Sequence, residues 1–358
     1  MMANHSHGTV EGPDDGGASG GRADRILLAH GDGGLLTANL VEEVFLPYLG
    51  GQQSEKLLDA AVIQPKGCGR LALTTDSFVV KPVFFPGGDI GSLAVHGTVN
   101  DLAAVGARPV AITAGFILEE GLDLDTLVAV VRSMGQAAAT AGVRVVAGDT
   151  KVVERDAADQ LFINTTGLGE VLPQADLAFA HIAPGDRVLV TGTVGDHGVA
   201  VVSRRRGLAF DTPVRSDSAP LFDLVAPVLE EVPGVKFLRD PTRGGLATTL
   251  KEIALSAGVE IVIDEERIPV NDAVRGACDI LGLDPLYLAN EGKMLLVVAP
   301  EAVAPTLQRL RRHPLGATAA EIGVVQAWAG KGELWLRTPL GGTKRLDRLA
   351  GEQLPRIC

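Results

Sequence analysis

Four aspartates stand where regular elements should end: Asp59 in Leu57-Leu58-Asp59-Ala60-Ala61-Val62, Asp76 closing the alternating run 69–76, Asp101, and Asp149 behind the apolar run 143–147. Acids at strand ends beside glycine-rich turns suit hard cations with oxygen ligands, and such cations carry nucleotide phosphates. Converging without a cation, four carboxylates would repel one another strongly at low local dielectric, so the group implies Mg²⁺. Each one taken singly also serves as a cap or turn former. Lys151 and Glu154 follow in Gly148-Asp149-Thr150-Lys151-Val152-Val153-Glu154. Positions three apart on an extended strand face opposite ways, so this pair either shares a site where the chain turns or forms a strand-end ion pair. Asn290-Glu291-Gly292-Lys293 reads equally as site-lining groups and as a turn entering a strand.

A different chemistry sits in Leu354-Pro355-Arg356-Ile357-Cys358. A cysteine there places a thiol at the end of a tether, next to a carboxylate and behind residues that resist helical packing. Prenylation is excluded by position. Cys68, in Gly67-Cys68-Gly69, is the rival nucleophile, but a cysteine tight in a turn cannot visit another protein; Cys278 falls in a helical pattern. These three cysteines form no C-x-x-C pair, which argues against a disulfide framework or a zinc site and predicts reduced thiols.

The elements that must position these groups alternate. Hydrophobic residues are 46% of the 358 but aromatics only 4%, so the cores are built from Ala, Val, Leu and Ile, which favours α/β layers in two domains. Net charge −12 repels nucleic acid and anionic membrane; no apolar run spans a bilayer, and the polar start is no signal peptide, so a cytoplasmic protein is expected. Residues 1–22 read as a disordered leader. A Gly31–Gly34 turn opens a helix through Leu35 to Phe45 without matching a phosphate-loop pattern. Asp89 caps a helix carrying Asn100 and Asp101, stopped by Gly106 and Pro109; a strand follows at 110–118, a helix from Asp123 or Asp125 to Gly142, and a buried strand from Val143. Pro184-Gly185 marks the boundary between a first domain, 23–180, and a second, 181–338. In the second, glycine-rich turns lead into helices at 199–206 and 246–257, and strands at 259–264, 293–299, 320–327 and 333–337 alternate with helices at 271–282 and 301–312. Residues 339–358 form a mobile tail; extended from Gly342, it could reach ~50 Å.

Taken together, Thr75-Asp76-Ser77-Phe78-Val79-Val80, the segment 97–109, Gly148-Asp149-Thr150-Lys151, Asp240-Pro241-Thr242-Arg243-Gly244-Gly245-Leu246 and Asn290-Glu291-Gly292-Lys293 resemble the PurM-like ATP-using superfamily. With Pro355-Arg356-Ile357-Cys358 at the end, the resemblance narrows to the HypE family, carbamoyl dehydratases of nickel-iron hydrogenase maturation, and covers about residues 25–358. It implies an N-terminal α/β domain whose sheet pairs with its copy in a homodimer, a C-terminal α/β domain and a tail. It further implies that a carbamoyl group passes from the carbamoyltransferase HypF to Cys358, that ATP activates the amide oxygen, and that dehydration leaves a thiocyanate whose cyano group goes to iron on the HypC-HypD complex. A thiolate suits this, being nucleophilic near neutral pH.

On the same resemblance Asp59, Asp76, Asp101 and Asp149 hold Mg²⁺-ATP, Asn100 contributes to nucleotide binding, and Asp240 and Glu291 line the site. Lys151 stabilises charge on the activated oxygen or phosphate, and Glu154 accepts protons. Two other readings compete: a PurM-like kinase or synthetase acting on a small free substrate, and a nucleotide-regulated scaffold with the tail as a docking peptide.

Overall fold

The computed structural model describes residues 34–45, 58–65, 67, 69–208, 214–327, 330–349, 354 and 356–358. The leader, the start at 25–33, Cys68 and Pro355 lie outside the described residues. A short helix α1 (Leu35–Leu40) continues in a wider turn to Phe45.

The first sheet is built from β1 (Ala61–Ile63), β2 (Leu71–Phe78), β5 (Ala107–Glu119), β6 (Arg144–Val153) and β7 (Leu161–Val171), in the order β1-β2-β7-β5-β6, with a small ribbon of β3 (Phe84–Phe85) and β4 (Gly88–Asp89) beside it. One face carries α2 (Ile90–Ala104) and α3 (Leu124–Thr140). The expected cap is present: the Asp89 carboxylate accepts from the Gly91 and Ser92 amides, and Ser92 closes a capping box. Almost every residue of α2 is buried, as an apolar helix must be when it is covered on several sides. Gly97 lets it come close to β2: a Cβ there would lie 2.9 Å from the Phe78 ring and 3.7 Å from an Asp76 carboxylate oxygen. The other face of this sheet is open, and β2 alternates accordingly, with Ala72, Thr74 and Phe78 buried and Leu73, Thr75 and Ser77 exposed.

Two expectations are corrected here. The strand from Val143 is not buried: β6 runs parallel to β5 at the sheet edge, and its residues are exposed almost throughout, because no strand among the described residues flanks its outer side. Pro109 stops no helix; it sits within β5 at an irregularity of the β5–β7 register, where a missing N–H is tolerated.

The second sheet contains β8 (Arg187–Val190), β9 (Val235–Arg239), β10 (Glu260–Asp264), β11 (Leu295–Val298), β12 (Ala320–Gln326), β13 (Glu333–Arg337) and β14 (Thr343–Leu346), ordered β14-β13-β10-β12-β8-β11-β9. Both faces are covered. Val188 and Val190 pack towards α6 (Gly245–Ala257), whereas Leu189 packs with α5 (Phe222–Glu231) and α8 (Val303–Leu310). Helices α4 (Asp196–Arg205) and α7 (Asp272–Leu281) form a further apolar cluster through Val199, Val274 and Cys278. Strand β14 takes residues expected in the tail and pairs antiparallel with β13. The span 347–358 that remains could extend ~40 Å. No helix among the described residues is long and apolar enough to cross a membrane.

Candidate active site

Asp76 projects from β2 towards α2, which brings Asp101 from its last turns; the Thr74 hydroxyl donates to the Asp101 carboxylate at 2.7 Å and lies 3.1 Å from the Asp59 carbonyl oxygen. From the second domain, β9 ends at Arg239, and Asp240 follows it. Arg239 pairs with Asp59 at 3.2 Å and with Glu252 at 3.0 Å. Glu291 enters from the loop before β11, and Arg243 from the turn before α6. These groups act on one another electrostatically. Asp240 is pushed up to about 8 by burial and by the charges of Asp59 and Asp76. Burial together with Asp240, Asp59 and Asp76 raises Asp101 well above the carboxylate range. Glu291 is raised likewise, by burial and then by Asp240, Asp217 and Asp76.

With Glu252, six carboxyls thus gather around two guanidiniums, a surplus of four negative charges were all ionised. The donor set fits a hard divalent cation, and one oxygen, Glu291 Oε1, is buried with no hydrogen-bond partner. Among the described residues no three His, Cys, Asp or Glu side chains are spaced as ligands of one ion. Splayed carboxyls of this kind leave coordination positions to the oxygens of a bound phosphate.

A pH dependence follows. Asp240 holds its proton in the folded chain up to about 8 but releases it near 3.8 when unfolded. Between those values the native state binds more protons than the unfolded one, so stability is full below the lower limit and falls as pH rises, by about 1.4 kcal/mol per pH unit for one such group. Urea midpoints of the ligand-free protein should therefore drop from pH 5 to pH 8, and Mg²⁺ with ATP should flatten the decline. A ligand-free midpoint that does not move with pH would show that the carboxyls do not crowd one another.

Residues 356–358 are seated in this cleft. The Val79 amide donates to a Cys358 carboxylate oxygen at 3.1 Å and the Lys81 amide to the Arg356 carbonyl at 3.2 Å, so the end of the chain lies strand-like against the residues that follow β2. Arg356 donates to the Val79 carbonyl at 2.9 Å and pairs with Asp159 at 2.6 Å. Ile357 is buried with Phe78, Ile90, Leu93 and Val201, a contact worth about 2 kcal/mol. The Cys358 sulfur is raised well above an ordinary thiol by burial and by Glu291, Asp76 and Asp240; Arg243 opposes the shift.

The other expected site residues lie elsewhere. Cross-strand register runs Asp76, Thr165, Ala114, Gly148, so Asp149 is displaced from Asp76 by three strand spacings, ~14 Å, and belongs to the opposite face. Asp149 and Lys151 share that open face, paired at 2.6 Å and solvent-exposed. Glu154 is exposed past the end of β6. Within one copy of the chain, none of the three joins the acid cluster. Asn100 does not face the cleft with a free amide: its Nδ2 donates to the Ala219 and Glu291 carbonyls at 3.0 and 3.3 Å, and its Oδ1 accepts from the Leu221 amide at 2.8 Å. It clasps the two domains together.

Residues 58–171 match the N-terminal domain, and 183–333 the C-terminal domain, of the family described as AIR synthase related protein. Carbamoyl dehydratase HypE of Cupriavidus necator is 50% identical over 337 residues, which cover 94% of this chain and 96% of that protein. The chain belongs to the HypE family. Among solved structures, the chain aligned in a HypE-HypF complex superposes with a TM-score of 0.82 at 46% identity, covering 87% of this chain and 99% of its own. HypE in complex with ATP gives 0.78 at 48% identity, covering 93% and 100%. The family and the two-domain PurM-like fold expected from the motifs and the Pro-Arg-Ile-Cys ending are thereby borne out.

Arg239 and Arg243, the two cations that moderate the acid cluster, are not among the site residues expected from the sequence. Arg243 stands inside the quoted Asp240-Pro241-Thr242-Arg243-Gly244-Gly245 motif, so its type and place were available; Arg239 follows only from β9, which no clear alternation announces.

Proposed function

We propose that this chain is an ATP-dependent carbamoyl dehydratase that converts a carboxamide on its own Cys358 sulfur into a thiocyanate, supplying the cyanide ligand for nickel-iron hydrogenase. The observation that carries this reading is the seat of residues 356–358, which puts Cys358 beside Arg243, Glu291, Asp76 and Asp240. The carbamoyl donor is HypF and the cyanide acceptor the HypC-HypD complex, in the cytoplasm. In the overall change the γ-phosphoryl group of ATP passes to the carboxamide oxygen, leaving ADP, and departs with that oxygen as inorganic phosphate, both N–H protons pass to base and solvent, and an S–C≡N group remains.

Asp59, Asp76 and Asp101, with Asp240 and Glu291, would hold Mg²⁺ and through it the nucleotide phosphates; the cation supplies charge neutralisation for phosphoryl transfer. Arg243 stabilises negative charge growing on the activated oxygen near the sulfur. The open sheet face and unpaired edge β6, with Val145, Val146 and Val152 exposed, support a homodimer formed through the first domain. Asp149, Lys151 and Glu154 take part in chemistry only if that assembly returns them to a cleft. For seat and tether to serve both HypF and the acid cluster, the tail must leave and re-enter.

Mass analysis of the C-terminal peptide after incubation with a carbamoyl donor, and again after Mg²⁺ and ATP, tests the proposal. A carbamoyl adduct on Cys358 that loses water only with ATP is expected, whereas an adduct that never forms, or persists with ATP, rejects it. Alanine at Lys151 or Glu154 should retain the adduct and block its dehydration; full conversion removes their catalytic roles.

A further inference from the structure

Helix α4 is the wall of the tail's seat contributed by the second domain. His197, Val201 and Arg205 recur at intervals of four along it and so lie on roughly one side. His197 Nε2 donates to the Ile357 carbonyl at 2.8 Å, Arg205 Nη2 donates to the Arg356 carbonyl at 2.7 Å, and Val201 belongs to the apolar cluster that buries Ile357. In extended backbone, consecutive carbonyls point to opposite sides. Arg356 has φ +53°, a left-handed conformation that breaks this alternation and lets one helix reach both.

His197 is itself held from three directions. The Ser216 hydroxyl is 2.8 Å from Nδ1, the Ser218 amide donates to that hydroxyl at 3.1 Å, and the Phe85 ring meets the imidazole edge-on at 5.3 Å. A carbonyl can only accept, so Nε2 carries the proton and Nδ1 accepts from Ser216. Arg205 Nε also donates to the Lys81 carbonyl at 2.8 Å, tying the same helix to the strand-like segment on the other side of the tail.

We infer that His197 and Arg205 are positioning residues for the dehydration, which fix the last peptide units of the docked tail so that the group on the Cys358 sulfur is held at the acid cluster. With the Ile357 carbonyl held by His197 and a Cys358 carboxylate oxygen held by the Val79 amide, the side-chain torsions of Cys358 are the main freedom left to the reacting group. Neither side chain touches the reacting atoms. The inference rests on the proposed reaction at Cys358.

Carbamoylated full-length protein, given Mg²⁺ and ATP in single turnover, separates the outcomes. His197→Ala and Arg205→Ala should each slow appearance of thiocyanate by ~10- to 100-fold while the KM for ATP stays within about twofold. His197→Gln, whose amide can donate in place of Nε2, should recover part of the rate, and His197→Leu should not. Release of Cys358 and Ile357 by carboxypeptidase should accelerate in the alanine and leucine variants in step with the lost rate. Unchanged dehydration in both alanine variants, or a glutamine variant as slow as leucine, overturns the inference. If wild-type protein makes no thiocyanate, the proposed reaction has failed instead, and carboxypeptidase release compared across variants still decides whether α4 holds the tail.

Discussion

Serine in place of Cys358 should remove the carbamoyl adduct and ATP-dependent cyanide formation together, a loss of at least ~10³-fold, because a hydroxyl is a far poorer nucleophile than a thiolate at neutral pH. Cys278 cannot substitute: it is buried in α7 and its thiol is pushed up to about 11. The seat also divides the reaction in two. Docked, the Cys358 thiol faces Glu291, Asp76 and Asp240, and burial keeps its proton on. Undocked, it returns to an ordinary thiol near ~8.5 and becomes competent to attack. Once carbamoylated, the sulfur has no proton to lose, so docking of the modified tail should hold at alkaline pH, where docking of the free thiol weakens as the undocked form ionises. Alkylation of the C-terminal peptide by a thiol reagent, slow in the resting protein and fast after Arg356→Ala, checks the first half. Serine at 358 that still yields a C-terminal adduct would reject the nucleophile, and a small-molecule kinase would tolerate the change.

Asp101→Asn should move activity and stability in opposite directions. Burial and three neighbouring acids disfavour its charge and outweigh what favours it, the Thr74 hydroxyl and the guanidiniums of Arg239 and Arg243, and an asparagine oxygen can still accept from Thr74. Removing one charge relieves the crowding, and the ligand-free protein should gain about 1–3 kcal/mol at pH 8, with little change at pH 4 where the carboxyl is already neutral. Dehydration should meanwhile fall by ~10²-fold or more, since a cation ligand and a phosphate-facing charge are lost together. Thermal melts at the two pH values with single-turnover rates test both arms. A variant destabilised at pH 8 would show that Asp101 is a structural anchor, and one with normal rates would remove it from the site.

The sequence made some of this legible and concealed the rest for physical reasons. Asp89 before an apolar run marked α2 and so placed Asp101 within reach of β2. The longest gap in the reading was β7, a central strand whose Gly167 and Gly169 break its alternation; Gly167 is small because the Thr98 methyl of α2 would lie 2.7 Å from a Cβ there. Helix α5 carries Pro227 in its interior, which local propensity scores against and burial against β11 and α8 overrides. Strand β6 read as buried because this edge strand, rich in valine, has the composition of an interior one. For the site, strand ends pointed to Asp76, but only the cross-sheet register separates it from Asp149, and register is not written in either strand alone. His197 and Arg205 bind backbone carbonyls, which any tail of this shape would offer, so neither leaves a trace in spacing.

The clasp at Asn100 has a further consequence. Enzymes that use ATP commonly keep water out by swinging two domains shut, but here one buried amide joins three backbone groups across the domain junction and holds the halves as a unit. The stopper must then be the tail, whose Ile357 fills an apolar socket when Cys358 is in place. Cargo and cork are one piece of chain, so a vacant mouth means there is nothing to dehydrate, and nucleotide held without its cargo meets an open, wet and incomplete site.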